Sequence, residues 1–407
     1  MQVIDEPFFT LIKSTEFRAR RGRIVTAHGC IETPTFMPVA TFGTIRLLDF
    51  EDVRRLGAQI VLGNTLHLES TVGSARIKQF GGLAKFTGWN GPTLTDSGGY
   101  QVSYMWKSGT HSADGGNRTH NSTSPIQKIN DKGVMVKNTW TGQTMRITPQ
   151  IAMEWQADIG ADMVMAFDQP TFDTDSLDDA RISLARSHDW TIASYQHWLK
   201  LQNEGRAPAC QVFFPIIQGG RFRELRRESA EKMCSLDTAG IAIAGESIGI
   251  NPDISAETLS WVADIIPPDK PLYGMGLGGG PEGFLKAVRE GLDMFDNTSP
   301  TRLGRCGLAF ISPSSGGNTA NKFRVSLKKG INRDSDSPVD SLCDCFVCKH
   351  YSRGYIKHLF NIGEGTGARL LTYHNLYFME SLGALVRHAI ETDSFGDLYE
   401  SWIEDRG

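Results

Sequence analysis

Short, almost uninterrupted apolar runs recur along this chain, and most end on a polar residue. They cover residues 35–39, 59–62, 92–95, 163–167, 212–217, 241–244, 272–275 and 292–295. Continuous rather than alternating hydrophobicity suits parallel strands buried on both faces. Between them lie stretches with helical periodicity: residues 48–56, 149–159, 178–201, 221–233, 256–266 and 282–290. Strand and helix alternate through the chain, which predicts an α/β fold, a (β/α)8 TIM barrel. A doubly wound open sheet fits the same rhythm. The residues that follow the runs favour the barrel: Asn64, Asp96, Asp168, Gln218, Gly245 with Glu246, and Asp296 would converge on one face from many strand ends.

Three segments break the rhythm. Residues 1–33 read as an N-terminal β-hairpin region capping the barrel, 34–298 as the barrel core, and 299–407 as a basic loop leading to a cysteine-bearing subdomain with C-terminal helices. Residues 108–132 are rich in Gly, Asn, Ser, Thr and His and read as an inserted loop.

Composition excludes some classes. Of 407 residues, 40% are apolar and 22% charged, the balance of a globular protein with a sizeable core. No apolar run is long enough to span a bilayer, and no early segment reads as a secretory signal, so a cytoplasmic location is expected. The net charge of −4 makes any nucleic-acid site a local patch. One candidate is evident. Residues 297–333 hold seven Lys or Arg (Arg302, Arg305, Lys322, Arg324, Lys328, Lys329 and Arg333) and no Asp or Glu. They follow Asp296 directly, as a phosphate-contacting surface would. The bland alternative is a solvated loop.

Seven cysteines divide into four scattered residues, Cys30, Cys210, Cys234 and Cys306, expected as buried reduced thiols, and a cluster, Cys343, Cys345 and Cys348. With His374 the cluster would complete a closed tetrahedral shell for structural Zn2+, leaving no open position for water. On spacing alone His350 and His358 compete, although His350 lies close to Cys348.

Two aspartates end apolar runs about two hundred residues apart, within Asp96-Ser97-Gly98-Gly99-Tyr100-Gln101 and Asp293-Met294-Phe295-Asp296. Paired carboxylates are the parts needed for chemistry at a sugar carbon. An isolated aspartate in such a place is more often a helix cap. Alternation puts Asp293 on the face opposite Asp296, which gives it a structural role.

These two motifs, together with Met165-Ala166-Phe167-Asp168, Ile217-Gln218-Gly219-Gly220, Pro300-Thr301-Arg302, Glu32-Thr33-Pro34-Thr35-Phe36-Met37-Pro38-Val39 and the cysteine spacing, resemble tRNA-guanine transglycosylases, in order over nearly the whole chain. The resemblance implies Asp296 as nucleophile on the anomeric carbon of a guanosine in tRNA, and Asp96 as general acid/base. It implies that Asp168, Gln218 and the Gly245 backbone bind the purine edge, that Tyr100 and Met275 sandwich the ring, and that Ser97 supports the site near Asp96. Arg302 and Arg305 would hold the anticodon loop. It also favours His374, since the family carries a His-Asn pair at this distance, here His374-Asn375. It further implies a homodimer formed near the zinc region, with Tyr351, Tyr355 and His358 as contacts, and incorporation of a 7-deazaguanine in queuosine biosynthesis.

The chain departs from the family in places. Asn297-Thr298-Ser299 replaces Cys-Val-Leu after the nucleophile, and Gln169-Pro170 replaces Glu-Cys after Asp168. A glutamate has moved to Glu246, where it would pair the ammonium of 7-aminomethyl-7-deazaguanine. These departures keep open a paralogue that inserts 7-deazaguanine into DNA. A non-catalytic RNA-binding subunit is a third reading, disfavoured because both aspartates are present.

Overall fold

The structure is a computed structural model that describes residues 6–108, 126–138, 140–249 and 251–403, apart from the side chains of 104–108, Glu246 and Ser247. Every expected apolar run contributes a strand. Two five-stranded sheets result, both wholly parallel. One runs Val212–Phe214, Met163–Met165, Thr93–Asp96, Val61–Asn64, Val39–Ala40; the other runs Ile216–Ile217, Ile241–Ile243, Leu272–Gly274, Met294–Asp296, Thr35–Met37.

Two segments serve both sheets. Each is interrupted by a proline, which has no N–H to give a ladder. Their carbonyls still accept, Pro38 from Leu62 N–H at 3.0 Å and Pro215 from Ala242 N–H at 2.9 Å. The last strand pairs with the first, Asp296 opposite Met37.

Neighbouring residues on a strand enter different apolar clusters. Phe36, Val61, Ile241, Leu272 and Phe295 pack with the helices, whereas Met37, Leu62, Ala242, Tyr273 and Met294 pack with one another. Side chains alternate across a strand, so burial of both faces requires an unbroken apolar run. That is the pattern the sequence carries.

The N-terminal region is larger than the expected hairpin. Phe9–Ser14, Arg20–Thr26 and Gly29–Thr33 form a three-stranded antiparallel sheet. It is fastened to residues that precede the parallel strands. Arg20 is ion-paired with fully buried Asp293 and donates to Lys270 O at 2.8 Å, and His28 Nδ1 meets Asp162 Oδ1 at 2.7 Å. Asp293 also accepts from Leu272 N–H at 2.6 Å, in the structural role expected of it.

The expected loop at 108–132 is partly corrected. Residues 109–125 lie outside the described residues, but Ile126–Asn130 is a strand, joined with Gly133–Lys137 and Thr144–Ile147 in an antiparallel sheet. The Gly133 turn and the apolar alternation of Val134 and Val136, both buried, carry it. The expected helix at 256–266 runs instead over Pro252–Ser260, started by Asn251, whose side chain accepts from Asp253 N–H, with proline in the first turn.

After Asp296 come a helix, Ser299–Arg305, and a two-stranded antiparallel sheet, Leu308–Phe310 with Arg324–Ser326. The helices Phe346–His350, Arg353–Asn361, Gly365–Glu391 and Phe395–Ile403 follow. Leu371, Leu376 and Met379 of the long helix share one apolar cluster with Phe36 and Phe295 of the parallel strands. Of the scattered cysteines, Cys30 and Cys306 are exposed rather than buried, because one lies in an antiparallel strand with an outward face and the other ends a surface helix.

Candidate active site and metal centre

Asp96 and Asp296 are the last residues of strands Thr93–Asp96 and Met294–Asp296, in different sheets, and each carboxylate lies within electrostatic reach of the same tyrosine. Asp96 is held from one side. Asn64 Nδ2 donates to its Oδ2 at 2.6 Å, Thr65 N–H to its Oδ1 at 3.2 Å, and Gln101 to Oδ2 at 3.4 Å. Asn64 also caps the helix Thr65–Thr71, so the start of that helix fixes the Asn64 side chain. Burial pushes the Asp96 carboxyl up to about 7, with the nearby Asp296 charge adding to the shift and the three donors opposing it. A substantial fraction is therefore protonated near neutral pH.

Asp296 has stronger donors. The Tyr273 hydroxyl donates to Oδ1 at 2.6 Å and Gly276 N–H to the same atom at 2.8 Å. Burial raises its pKa, while Tyr273 and the Gly276 amide pull it back. Tyr273 is fully buried, and burial together with Asp296 and Asp96 keeps its hydroxyl protonated far above the usual phenol range. It can only donate to Asp296. Sequence reading passes over Tyr273 because it sits inside an apolar run.

A second cluster lies at neighbouring strand ends. Gln218 Nε2 donates to Asp168 Oδ2 at 2.6 Å, with both side chains buried. Burial raises Asp168 to about 6, against hydrogen bonds from Gln218 and Ser97. Ser97, the chain neighbour of Asp96, thus reaches Asp168. Gly99 makes this approach possible: a Cβ there would stand 2.4 Å from Asp168 Oδ1.

Gly245, with φ of +118°, closes the other side. A Cβ on it would lie 2.8 Å from Nη2 of Arg226 and 3.5 Å from Gln218 Oε1. Arg226 is completely buried and escaped sequence reading, where it looks like one more charge on a polar helix. Its guanidinium donates to Gly220 O at 2.8 Å, Ile217 O at 3.1 Å and Ala244 O at 2.7 Å. It ties the ends of two strands to the Gly219-Gly220 turn.

Glu246 opens the short helix Glu246–Gly249, and its side chain is outside the described residues. Tyr100, 45% exposed, stands on the first turn after the Asp96 strand, and half-buried Met275 follows Leu272–Gly274. The helix Thr65–Thr71 also lines, with Phe42, Arg46, Trp140 and Thr141, a cleft of about 560 Å³ that contains none of the carboxylates.

The unusual polar segment has a local account. Asn297 donates to Leu277 O and accepts from Ser299 N–H, so it joins the loop after one strand to the helix after the next. Arg302, exposed, and Arg305, half-buried, lie on that helix.

Cys343, Cys345, Cys348 and His374 converge, their donor atoms within 4.8 Å of one another. His374 Nδ1 stands 3.8, 3.5 and 3.4 Å from the three Sγ atoms. Its Nε2 faces Phe310 O at 2.8 Å, which fixes the ring and frees Nδ1 as a ligand. The four donors form a closed cluster that could hold a metal ion. The next residue, Asn375, donates to Pro300 O at 2.9 Å and Leu308 O at 3.0 Å and accepts from Phe310 N–H at 2.9 Å. The cysteine–histidine cluster is therefore anchored to the helix that follows Asp296.

Comparison with known proteins agrees with this geometry. The family model described as Queuine tRNA-ribosyltransferase matches residues 15–407. Queuine tRNA-ribosyltransferase of Bacillus licheniformis is 37% identical over 390 residues, 96% of this chain and 93% of its own length. That of Desulforudis audaxviator is 36% identical over 396 residues, 97% of each chain. Similarity of this extent, end to end, makes the chain a member of the queuine tRNA-ribosyltransferase family of enzymes.

Proposed function

We propose that this enzyme is a tRNA-guanine transglycosylase, exchanging the wobble guanine of GUN-anticodon tRNAs for a 7-deazaguanine through a covalent ribosyl–aspartate intermediate. The observation that carries the reading is the contrast between two nearby carboxyls. Asp296 is held by two donors on one oxygen, and Asp96 titrates at about 7. In this scheme Asp296 attacks C1′ of the guanosine, the C1′–N9 bond breaks, and its electron pair leaves with guanine, assisted by the Asp96 proton. The incoming base then gives its N9 proton to Asp96 and attacks C1′, and the ester C–O bond breaks. Two displacements retain configuration, as in a retaining glycosidase.

Asp168, Gln218 and the Gly245 backbone would take the purine edge, Tyr100 and Met275 its faces, and Ser97 would hold Asp168. Glu246 would select 7-aminomethyl-7-deazaguanine, so Glu246→Gln should weaken that base and spare guanine. Equal losses for both bases would remove the assignment. Arg302 and Arg305 would contact the anticodon loop.

The two sheets, sharing residues 35–40 and 212–217, support closure as an eight-stranded barrel with all these groups at one mouth, and the N-terminal sheet at the other. The cysteine–histidine cluster fits structural Zn2+. Zn–S of about 2.3 Å and Zn–N of about 2.0–2.1 Å in a tetrahedron require S···N edges of about 3.6 Å, and the three edges are 3.8, 3.5 and 3.4 Å. A homodimer through the exposed Tyr355 face, with Tyr351 stacked on Tyr355 at 5.5 Å, and a cytoplasmic location complete the reading.

The test is exchange of radiolabelled guanine into an unmodified GUN-anticodon tRNA, beside duplex DNA, with wild type and Asp296→Ala. Incorporation into tRNA, lost in the variant, is expected. Incorporation into DNA alone would transfer the enzyme to DNA modification, and none at all would overturn the reading.

A further inference from the structure

Arg302 and Arg324 occupy two elements fastened together beside Asp296. Arg302 is on the helix Ser299–Arg305, and Arg324 opens the strand Arg324–Ser326, opposite Phe310. Asn375 locks these elements to each other through Pro300, Leu308 and Phe310. The Arg324 guanidinium carbon lies 5.8 Å from the centre of the Phe310 ring, and its Nε is buried with no hydrogen-bond partner among the described residues.

The charge acting on Arg324 comes from another cation. Burial lowers its pKa, and the Arg302 charge lowers it further, with no carboxylate opposing. Residues 297–333 contain no acid to neutralise the pair. A half-buried guanidinium with an unused donor, within electrostatic reach of a second guanidinium on the adjoining element, is unfavourable until an anion joins them.

We infer that Arg302 and Arg324 form one two-arginine site for a backbone phosphate of the RNA strand, next to the ribose attacked by Asp296. The inference rests on the RNA substrate proposed above and singles out Arg324 from the basic segment as the partner of Arg302. The packing fixes one arginine by stacking and leaves the other exposed on a helix, so the phosphate is approached from two elements. Its place beside the nucleophile would set the register of the strand rather than read a base.

The experiment is equilibrium binding of an anticodon stem-loop RNA across a salt series, without turnover, for wild type, Arg302→Gln, Arg324→Gln and the double variant. Each single change should weaken binding about 5- to 30-fold at low salt and reduce the salt slope by about one. The double variant should lose little more than either single one, because both arginines serve one phosphate. Additive losses would show two separate contacts and overturn the shared site.

A second measurement is independent of RNA. Arg324→Met relieves the repulsion, so its melting temperature in chloride should equal or exceed that of wild type. The extra stabilisation of wild type by inorganic phosphate, at matched ionic strength, should vanish. A destabilised Arg324→Met that binds RNA normally would make Arg324 only a prop for Phe310. If guanine exchange proceeds with an unchanged RNA KM in Arg324→Gln, this inference fails and the transglycosylase stands. If wild type binds RNA with the predicted sensitivity but exchanges no base, the site stands and the activity fails.

Discussion

Asp96 and Asp296 are the same side chain made different by their neighbours. Folded Asp96 titrates at about 7 against an ordinary 3.8, chiefly because burial disfavours its charge. The folded state thus holds the proton more tightly than the unfolded chain. Stability conferred by this group is full below about pH 4, falls as pH rises, and is lost above about pH 7. Asp96→Asn should remove that dependence. Urea unfolding should show the variant gaining on wild type by on the order of 1–3 kcal/mol between pH 5 and pH 8, and a pH-independent difference would contradict it. Tyr273 acts in the opposite direction on Asp296, since its hydroxyl stabilises the carboxylate. Tyr273→Phe should move the acidic limb of the kcat/KM profile to higher pH and lower the neutral-pH rate about tenfold, the worth of roughly 1.4 kcal/mol.

At the scale of elements, the parallel strands deliver functional groups at their ends, and a few buried polar side chains hold those ends in register. Arg226 is the clearest case, bonded to three carbonyls behind Gly245. A lysine has one compact ammonium and cannot reproduce the planar fork. Arg226→Lys should raise KM for the free base about tenfold or more while leaving KM for RNA unchanged, as steady-state exchange kinetics would show. Equal increases in both constants would point to general loosening. Asn375 plays the corresponding part between the cluster-bearing helix and the helix after Asp296. If the cluster holds the Zn2+ proposed for it, chelation of that ion, or Cys345→Ser, should therefore speed hydrogen exchange in residues 299–310 as well as around the cysteines.

For the whole molecule, the N-terminal sheet is joined to the parallel sheets by Arg20 and Asp293, 273 residues apart in sequence and nearly excluded from water. Removing one partner of such a pair leaves a buried charge uncompensated and costs about 3–5 kcal/mol. Asp293→Ala should lower the melting temperature strongly, yet keep wild-type kcat where it remains folded, because the pair is at the ends of the strands away from Asp296. A kcat loss at permissive temperature would show that the two ends are coupled.

The sequence by itself determined the eight strand segments, the aspartates at two strand ends and the three clustered cysteines, while spacing left the histidine open among His350, His358 and His374 until the fold brought His374 to them. Each is a local signal. A run of apolar residues is what a doubly buried strand must be, and Thr148-Pro149 through Gly160 marks a helix that starts and stops where the cap and the left-handed glycine stand. Local signals also conflict. The apolar period predicts a helix over 256–266, but the Asn251-Pro252 start governs and the helix begins four residues earlier, at Pro252. Tertiary structure alone decided the partners. Ser97 reaches Asp168, Tyr273 reaches Asp296 from inside a strand, and Arg226 turns inward from a polar helix. Those contacts depend on the register between strands and on which helix face meets the sheet. Neither is encoded in any short window, because the energy that fixes them is collected only when segments distant in the chain are packed together.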